Sequence, residues 1–467
     1  MVRGIRVGSL VSSIRLFSTC KVNFTKIPST LPSKGLISLK NNSNFFKISG
    51  KDASIFINGL TTIKLLPQHL KKNQTTISNA DIDNENIVNS IQLSNDLINN
   101  SNWGILHENE EFDPTNEDEL PMRLGIRRDG RYSNILRANG RIFSDVFIYP
   151  TPFLGNNDEF PSYLIEILNK SQFKPLLMML KLHKLRANVE ISEINNIDSW
   201  FYYDDSSEGN EIYDSLLDQY FANANSKDIG SSKTLSELFI KNKVLFDFDI
   251  DPNSILGLAI DQRNDYFGIR ILMNEGSVPQ IHNISEKDIL PYENYTNRRI
   301  KYGIVETSDF ANASILPFEC NLDWMHGINY DKGCYIGQEL TIRTWTGNGA
   351  TRRVLPIIFN EEIKGLNDSY EKLELKAIVG NEEVEEKTKE EEKPVYNPFG
   401  KPSSSSSSSR PRRDVSKVGE VLINNGKEGL AKVEKRYFDW DNEESKQVNV
   451  VHDGKLYNAT INTNVWN

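Results

Sequence analysis

The sequence predicts an α+β protein that ends in a small β-barrel domain. Two observations support this class. Between about residues 35 and 354, short apolar stretches of strand type alternate with stretches whose apolar residues recur at helical spacing. From residue 355 to 467 the apolar stretches are all of strand type, and they cluster around residues 418–423, 430–433 and 448–451.

The body of the chain contains a series of predicted elements. We expect strands at residues 37–39 and 45–48, then a helix running from about Asp52 to Leu60. Further elements are listed here in chain order: strands within 135–149 and at 163–168, an amphipathic helix over 173–185, strands at 188–191, 255–260 and 267–273, and a helix over 291–302.

Three segments are too polar to contribute to a core. Residues of about 73–120 and 202–232 are rich in Asn, Asp, Glu and Ser and lack a sustained hydrophobic period. We interpret both as polar insertions in the body. Residues of about 381–413 combine a Glu/Lys run with a serine tract, which predicts a disordered insertion within the barrel domain.

Residues 1–24 have the composition of a mitochondrial transit peptide. They contain Arg3, Arg6 and Arg15 among Ser, Leu, Ile and Val. No acidic residue precedes Asp52. Such a cationic segment is typical of import into mitochondria, so we expect the protein in the mitochondrial matrix. A merely disordered basic tail is the alternative interpretation.

Composition argues against several classes of function. The net charge is −10, with most of the excess acid in the polar insertions. Nucleic-acid binding usually needs a concentrated basic patch, so this charge balance argues against it. No apolar run approaches the roughly 18 residues of a membrane span, so no membrane insertion is expected. The chain has Cys20, Cys320 and Cys334 but no CxxC pair, which argues against a disulfide framework and a zinc site.

The segment from Lys332 to Glu339, KGCYIGQE, is the strongest local signal. Its glycines permit a sharp turn and a close approach by a ligand or partner. Lys332 and Arg343 bring positive charge toward Cys334, which favours the reactive thiolate. A buried structural cysteine in a tight turn remains the alternative. His326 is too close in sequence to Cys334 to suggest a Cys-His hydrolase.

Glu319 lies in a segment that mixes acids with apolar and aromatic residues, LPFECNLDW. A carboxylate in an apolar wall could accept paired hydrogen bonds from a pterin ring. Alternatively, Glu319 pairs with an internal arginine such as Arg343 and contacts no ligand.

Other charged residues follow or interrupt predicted strands. Asp261 and Arg263 are either pocket residues or a turn salt bridge. Arg141 and Asp145 lie in an otherwise apolar strand, where charge is costly unless it is paired or functional.

Several blocks together resemble the folate-binding aminomethyltransferase superfamily, and specifically its iron–sulfur assembly branch. They are residues 48–53 with 58–62, 139–147, 183–186, 261–263 with 268–270, 316–319, 332–344, and 418–420 with 429–431. Only the cysteine block is diagnostic by itself, and the others support it by their order. The resemblance implies a three-part cloverleaf around a central pocket, with two α+β parts and a C-terminal β-barrel.

The resemblance also implies a function. Members of this branch help to mature mitochondrial [4Fe-4S] proteins, with aconitase-type enzymes and lipoate and biotin synthases as client apoproteins and A-type scaffold proteins as partners. It makes Cys334 the functional thiol and a candidate transient ligand of a cluster shared with a partner. No classical turnover enzyme is expected. Tetrahydrofolate is the candidate cofactor, with contacts implied from Glu319, Asp145, Asp261, Arg263, Lys332, Gln338 and Arg343.

The chain also departs from the transferases. Ser144 replaces one of their paired aspartates, and Trp345 with Thr346 stands where relatives place histidine. The alternative function is a tetrahydrofolate-dependent one-carbon transferase of aminomethyl type. A third interpretation is a cofactor-free module that binds a partner in the groove between domains.

Overall fold

The computed structural model describes residues 31–65, 104–108, 124–154, 159–217, 231–247, 250–311, 314–330, 332–347, 349–363, 373–378, 417–438 and 446–466. The predicted transit peptide, the predicted insertion at 381–413 and most of the predicted insertion at 73–120 lie outside these residues. Residues 33–467 belong to one compact unit.

The described strands are, in chain order, β1 (Lys34–Ser38), β2 (Asn44–Ser49), β3 (Ile105–Glu108), β4 (Leu124–Arg127), β5 (Arg131–Leu136), β6 (Ile142–Pro150), β7 (Ser162–Ile167), β8 (Glu190–Ile194), β9 (Ile197–Asp204), β10 (Ile255–Asp261), β11 (Gly268–Asn274), β12 (Ile289–Leu290), β13 (Arg352–Phe359), β14 (Leu373–Ala377), β15 (Lys417–Asn424), β16 (Glu428–Glu434), β17 (Gln447–His452) and β18 (Lys455–Ile461).

The described α-helices are α1 (Ala53–Asn58), α2 (Phe173–His183), α3 (Ser207–Ser215), α4 (Ser231–Asn242), α5 (Tyr292–Lys301) and α6 (Gln338–Thr346). Single 3-10 turns occur at Lys170–Gln172, Pro252–Ser254, Glu286–Asp288, Lys435–Tyr437 and Asn464–Trp466. Among the residues that the structure describes, no helix combines the length and the apolar character needed to cross a membrane.

Two five-stranded sheets form the body. One has the order β10-β11-β9-β1-β12, antiparallel except for the parallel pair β1–β12. The other is antiparallel with the order β5-β6-β7-β2-β8. Chain crossovers therefore interleave the two sheets, since β1 and β2 are consecutive in sequence but belong to different sheets.

Strand β6 explains why the sequence shows a nearly continuous apolar run there. All nine of its residues are buried. Val146 and Ile148 pack into the core on one face of the sheet, beside α1 and α2. Phe147 and Tyr149 pack into the core shared with the other sheet and the barrel. A strand covered on both faces loses the apolar-polar alternation of a half-exposed strand.

The C-terminal domain is a closed barrel of six described strands in the order β13-β16-β15-β14-β17-β18, closed by pairing of β13 with β18. Its interior is filled by side chains such as Leu355, Ile357, Val421, Val433 and Val448. The barrel begins at Arg352, three residues before the predicted boundary. Full closure leaves no unpaired strand edge.

The predicted polar insertion at 202–232 is wrong over residues 202–217. β9 continues to Asp204 with Tyr202 and Tyr203 buried, and α3 follows, capped by a hydrogen bond from Gly209 N to Ser206 Oγ. A tyrosine ring can pack into an apolar core even when the neighbouring residues in the sequence are polar. The polar composition of this segment therefore concealed its buried residues. Residues 218–230 lie outside the described chain. Strand β3 lies within the segment predicted as the first insertion, and it pairs with β4, which follows that segment.

A group of buried charges joins the two sheets. Arg270 of β11 lies 3.2 Å from Glu166 of β7 and 3.4 Å from Asp261 of β10, and the three side chains are fully buried. Glu166 also accepts hydrogen bonds from Tyr149 and Ser199, each at 2.7 Å. Buried charges are tolerated only when paired and hydrogen-bonded, and these side chains meet that condition.

Arg263 extends this group toward residues 306–309. Its guanidinium binds both oxygens of Asp261, at 2.8 and 2.7 Å, and donates to Glu306 at 2.9 Å. Burial raises the pKa of Glu306, but Arg299, Arg263 and Arg270 outweigh burial and hold that pKa at about 2. The turn-salt-bridge interpretation of Asp261 and Arg263 is therefore confirmed, although the pair is buried.

Asp145 of β6 ends the group of buried charges. Its carboxylate accepts hydrogen bonds from the Thr307 backbone N–H, at 3.0 Å, and from the Thr307 hydroxyl. Burial raises the pKa of Asp145 to about 6, the Glu306 carboxylate adds to the rise, and the Thr307 hydrogen bonds oppose it.

We predict that Arg270→Met lowers the free energy of unfolding by about 3–5 kcal/mol, because Glu166 and Asp261 would keep buried charge without this cation. Urea unfolding at neutral pH measures the change. The control is Arg343→Met, since the side chain of Arg343 is 73% exposed. It should change stability by no more than about 0.5 kcal/mol. Equal stability of both variants would contradict the structural role of Arg270.

We predict a pH-dependent difference between wild type and Asp145→Asn. A carboxyl whose pKa is about 6 when folded and about 4 when unfolded binds its proton more tightly in the folded state. Wild-type stability relative to the variant should therefore fall by up to about 3 kcal/mol as pH rises from 4 to 7. Urea unfolding of both proteins across this range checks the sign. A constant difference would show that Asp145 keeps its ordinary pKa.

Candidate functional site

Cys334 lies in a loop, residues 327–337, that we call the cysteine loop. Of the two cysteines in the described residues, Cys334 is exposed and Cys320 is buried, and both are free. Burial raises the pKa of the Cys320 thiol, and the carboxylates of Glu319 and Asp145 add to this rise. Of these two thiols Cys334 is therefore the one open to solvent, and the alternative of a buried structural cysteine is wrong.

The cysteine loop is hydrogen-bonded to the segment that follows α1, residues 58–63, which we call the 58–63 segment. The backbone N–H groups of Asn329 and Ile336 donate to Thr62 O and Gly59 O, at 3.0 and 3.3 Å. The Thr62 hydroxyl donates to Gly327 O at 2.6 Å. Two stretches of chain about 270 residues apart thus form one unit.

Lys332 belongs to the cysteine loop, and its side chain is buried beneath the loop backbone. Its Nζ donates to the backbone carbonyls of Asn58 at 2.7 Å, Ile63 at 2.8 Å and Thr61. Burial lowers the pKa of Lys332 to about 7. The three carbonyl acceptors favour the ammonium form, since it supplies three donors. The three N–H donors of the Lys332 ammonium group are thus all used within the chain.

Glycines position the start of α6 against the β5–β6 turn. Gly337 has φ +78°, and a Cβ there would lie 2.3 Å from Arg137 O. Gly140 also has φ +78°, and a Cβ there would lie 2.8 Å from Leu340 Cβ. Gln338 accepts a hydrogen bond from Tyr335 N at 3.3 Å, so its side chain closes the cysteine loop.

Helix α6 follows the cysteine loop along the surface. Its buried residue is Thr341, whereas Ile342 and Trp345 are 37% and 52% exposed. The Trp345 ring stacks on Tyr330 with centroids 4.4 Å apart. Arg343 pairs with Glu339 at 3.2 Å in solvent. Arg343 therefore pairs with Glu339 and not with Glu319.

Glu319 is half-buried and lies in the segment before the barrel. Its Oε2 accepts a hydrogen bond from Leu316 N at 3.0 Å, and its backbone carbonyl accepts one from Val354 N at 2.9 Å. The carboxylate thus closes a local turn. The structure assigns it this role in place of the expected arginine pair.

Four of the residues expected to contact tetrahydrofolate have hydrogen-bond partners within the chain. Asp261 and Arg263 satisfy each other, and Asp145 is satisfied by Thr307. Lys332 donates to carbonyls of the 58–63 segment. A ligand would have to displace existing buried bonds at each of them, which is unfavourable.

The described residues contain no group of three or more His, Cys, Asp or Glu side chains arranged to hold a metal ion. His326 lies in a turn just before the cysteine loop, where it is exposed and has φ +52°. A separate cleft of about 420 Å³ is lined by Glu208, Glu211, Ile212, Ser215, Val244, His282 and Asn283. None of the residues expected at the site lines it.

Sequence reasoning missed the role of the 58–63 segment. It identified the block but assigned no function to it. The acceptors that it provides are backbone carbonyls, which every residue type carries. The sequence shows that this block and the cysteine block occur in one chain. It does not indicate that the two blocks are in contact.

The comparisons with known proteins name one family. The mitochondrial iron–sulfur cluster assembly factor IBA57 homolog of Debaryomyces hansenii is 38% identical over 353 residues, which cover 71% of this chain and 72% of that protein. The Candida albicans homolog is 35% identical over 354 residues, covering 70% and 71%. The Meyerozyma guilliermondii homolog is 33% identical over 413 residues, covering 82% and 88%. No protein-family model matches the chain.

The fold has a counterpart among solved structures. The glycine cleavage system aminomethyltransferase T from Bartonella henselae aligns with a TM-score of 0.50 at 10% identity, covering 94% of this chain and 87% of that chain. With the closed C-terminal barrel, this likeness confirms the predicted α+β fold of aminomethyltransferase type. The identity and coverage of the relatives establish that the chain belongs to the IBA57 family of mitochondrial iron–sulfur cluster assembly factors.

Proposed function

We propose that this protein is an assembly factor for mitochondrial [4Fe-4S] proteins and that Cys334 is its functional thiol. The observation that carries the proposal is the exposed Cys334 on a loop hydrogen-bonded to the 58–63 segment on both sides of the cysteine. Relatives that match most of the chain are named iron–sulfur cluster assembly factors, which supports this choice.

The cluster is cargo that this protein shares transiently with a partner. A [4Fe-4S] cluster normally takes four protein ligands, and Cys334 supplies one thiolate. The remaining ligands come from the partner, which we propose is an A-type scaffold protein of the matrix. The proposed clients are aconitase-type enzymes and the lipoate and biotin synthases. Residues 1–24 would direct the chain to the matrix.

Aminomethyl transfer is the less favoured function. The transferase fold is retained, but Asp145, Asp261 and Arg263 are engaged in buried bonds. Ser144, at the position of a transferase aspartate, donates to the Asp145 carbonyl at 3.1 Å. A fold does not carry a reaction without its site residues. We therefore propose that the protein acts without turnover and without tetrahydrofolate as an obligatory cofactor.

We predict that Cys334→Ser fails to restore aconitase activity and protein lipoylation in cells lacking this protein, whereas wild type restores both. A serine hydroxyl stays protonated at neutral pH and does not replace a thiolate on iron. The matched control is Cys320→Ala, which removes the buried thiol and should restore both readouts. A cytosolic iron–sulfur enzyme should stay normal throughout.

The transferase alternative predicts the opposite pattern. In that case Cys334→Ser would be silent, and Glu319→Gln would lose activity, because the amide presents an N–H where the carboxylate accepts hydrogen bonds. Tetrahydrofolate binding to the purified proteins, measured by calorimetry, would then weaken with Glu319→Gln. This combination of results would replace the assembly function by folate-dependent transfer.

A further inference from the structure

We propose that Lys332 is a positioning residue whose tetrahedral ammonium group holds the Cys334 loop on the 58–63 segment. Its geometry is what matters, so another cation of different shape does not replace it. This inference rests on the proposed function of Cys334, and it adds the means by which the thiol is presented to the partner.

The 58–63 segment is shaped to receive an ammonium ion. It begins at the last residue of α1, where helix carbonyls lack intrahelical partners. The side chain of Asn58 accepts a hydrogen bond from Leu65 N at 2.9 Å, which bends the segment into an arc. The carbonyls of Asn58, Thr61 and Ile63 converge inside that arc on Lys332 Nζ. Three acceptors thus meet a group with three donors.

Both sides of the thiol are attached to this arc. Lys332 precedes Cys334 by two residues, and Ile336, whose N–H donates to Gly59 O at 3.3 Å, follows it by two. The Tyr335 ring lies 4.6 Å from Lys332 Nζ, which adds a cation–π contact beneath the loop. Cys334 stands between these two attachments and is exposed. Its position therefore depends on the bonds made by its neighbours.

Two other roles for Lys332 make different predictions. A ligand-binding role requires a free donor, yet each of its three N–H groups has a carbonyl acceptor. A purely electrostatic role requires only positive charge, which arginine would preserve. The planar guanidinium fork cannot direct three donors to a tripod of carbonyls, so only the positioning role predicts that arginine fails.

The test compares Lys332→Arg and Lys332→Met with wild type and with Lys181→Met. Lys181 is an exposed lysine of α2 and serves as the matched control. Hydrogen exchange is followed by mass spectrometry in peptides covering the cysteine loop and the 58–63 segment. Peptides from β15 and β16 of the barrel report global stability. Aconitase activity and lipoylation report function in cells that lack the protein.

We expect both Lys332 variants to exchange at least about tenfold faster in the cysteine loop, as loss of about one net hydrogen bond would cause. Barrel exchange should be unchanged, and both maturation readouts should fall toward those of Cys334→Ser. Lys181→Met should match wild type in every measurement. Local loosening with a stable barrel separates positioning from general destabilisation.

Two results would overturn the inference. Full function of Lys332→Arg would show that charge suffices, and unchanged loop exchange in both variants would show that Lys332 does not hold the loop. Should Lys332→Met not fold, Lys332→Gln provides the same test, since its amide supplies two donors in place of three. A silent Cys334→Ser with a loosened Lys332→Met loop would instead contradict the proposed function and leave the positioning role standing.

Discussion

The two sheets of this protein are joined by charged side chains that are sealed from water. Arg270 reaches from one sheet to Glu166 of the other, and Arg263 continues the contacts to Glu306. Removing charges from water is costly, and the cost is offset only where each charge meets a partner at hydrogen-bond distance. The packing that pairs all of them is therefore favoured over slipped arrangements, in which a charge would be left alone.

This constraint also accounts for the charged residues at the centre of the molecule. Asp145, Asp261 and Arg263 are the residue types that a pterin site would need, but here their bonds are made within the chain. The Phe147 ring centroid lies 4.4 Å from the Arg270 guanidinium carbon, a cation–π contact. The scaffold of a transferase is thus kept while its central residues stabilise the fold.

The candidate site lies at a different place and is built from backbone groups. The cysteine loop carries the thiol, and the 58–63 segment carries the carbonyls that hold Lys332 beneath it. A thiol on a fixed loop loses less entropy when a partner binds than one on a flexible chain would. The helix that follows, α6, carries the exposed Trp345, whose ring stacks on Tyr330 of the cysteine loop. Apolar surface therefore continues beyond the thiol.

The sequence by itself determined the fold class and the family, and it located the cysteine block. Apolar periods located most strands and the helices at Phe173–His183 and Tyr292–Lys301, because a core imposes local periods of two or 3.6 residues. Glycines and the cysteine in one short block marked the loop at 332–339. These signals are local, so a single stretch of chain carries each of them.

Tertiary structure alone decided what each charged residue does. Asp261 turned out to pair with Arg263, Glu319 to close a turn, and Lys332 to bind carbonyls of residues far away in sequence. It also showed that residues 202–217, polar in composition, bury tyrosines in a strand and a helix. The physical reason is that a charge or a tyrosine ring takes its role from its neighbours in space. Those neighbours lie on strands and loops that only the packed chain brings together.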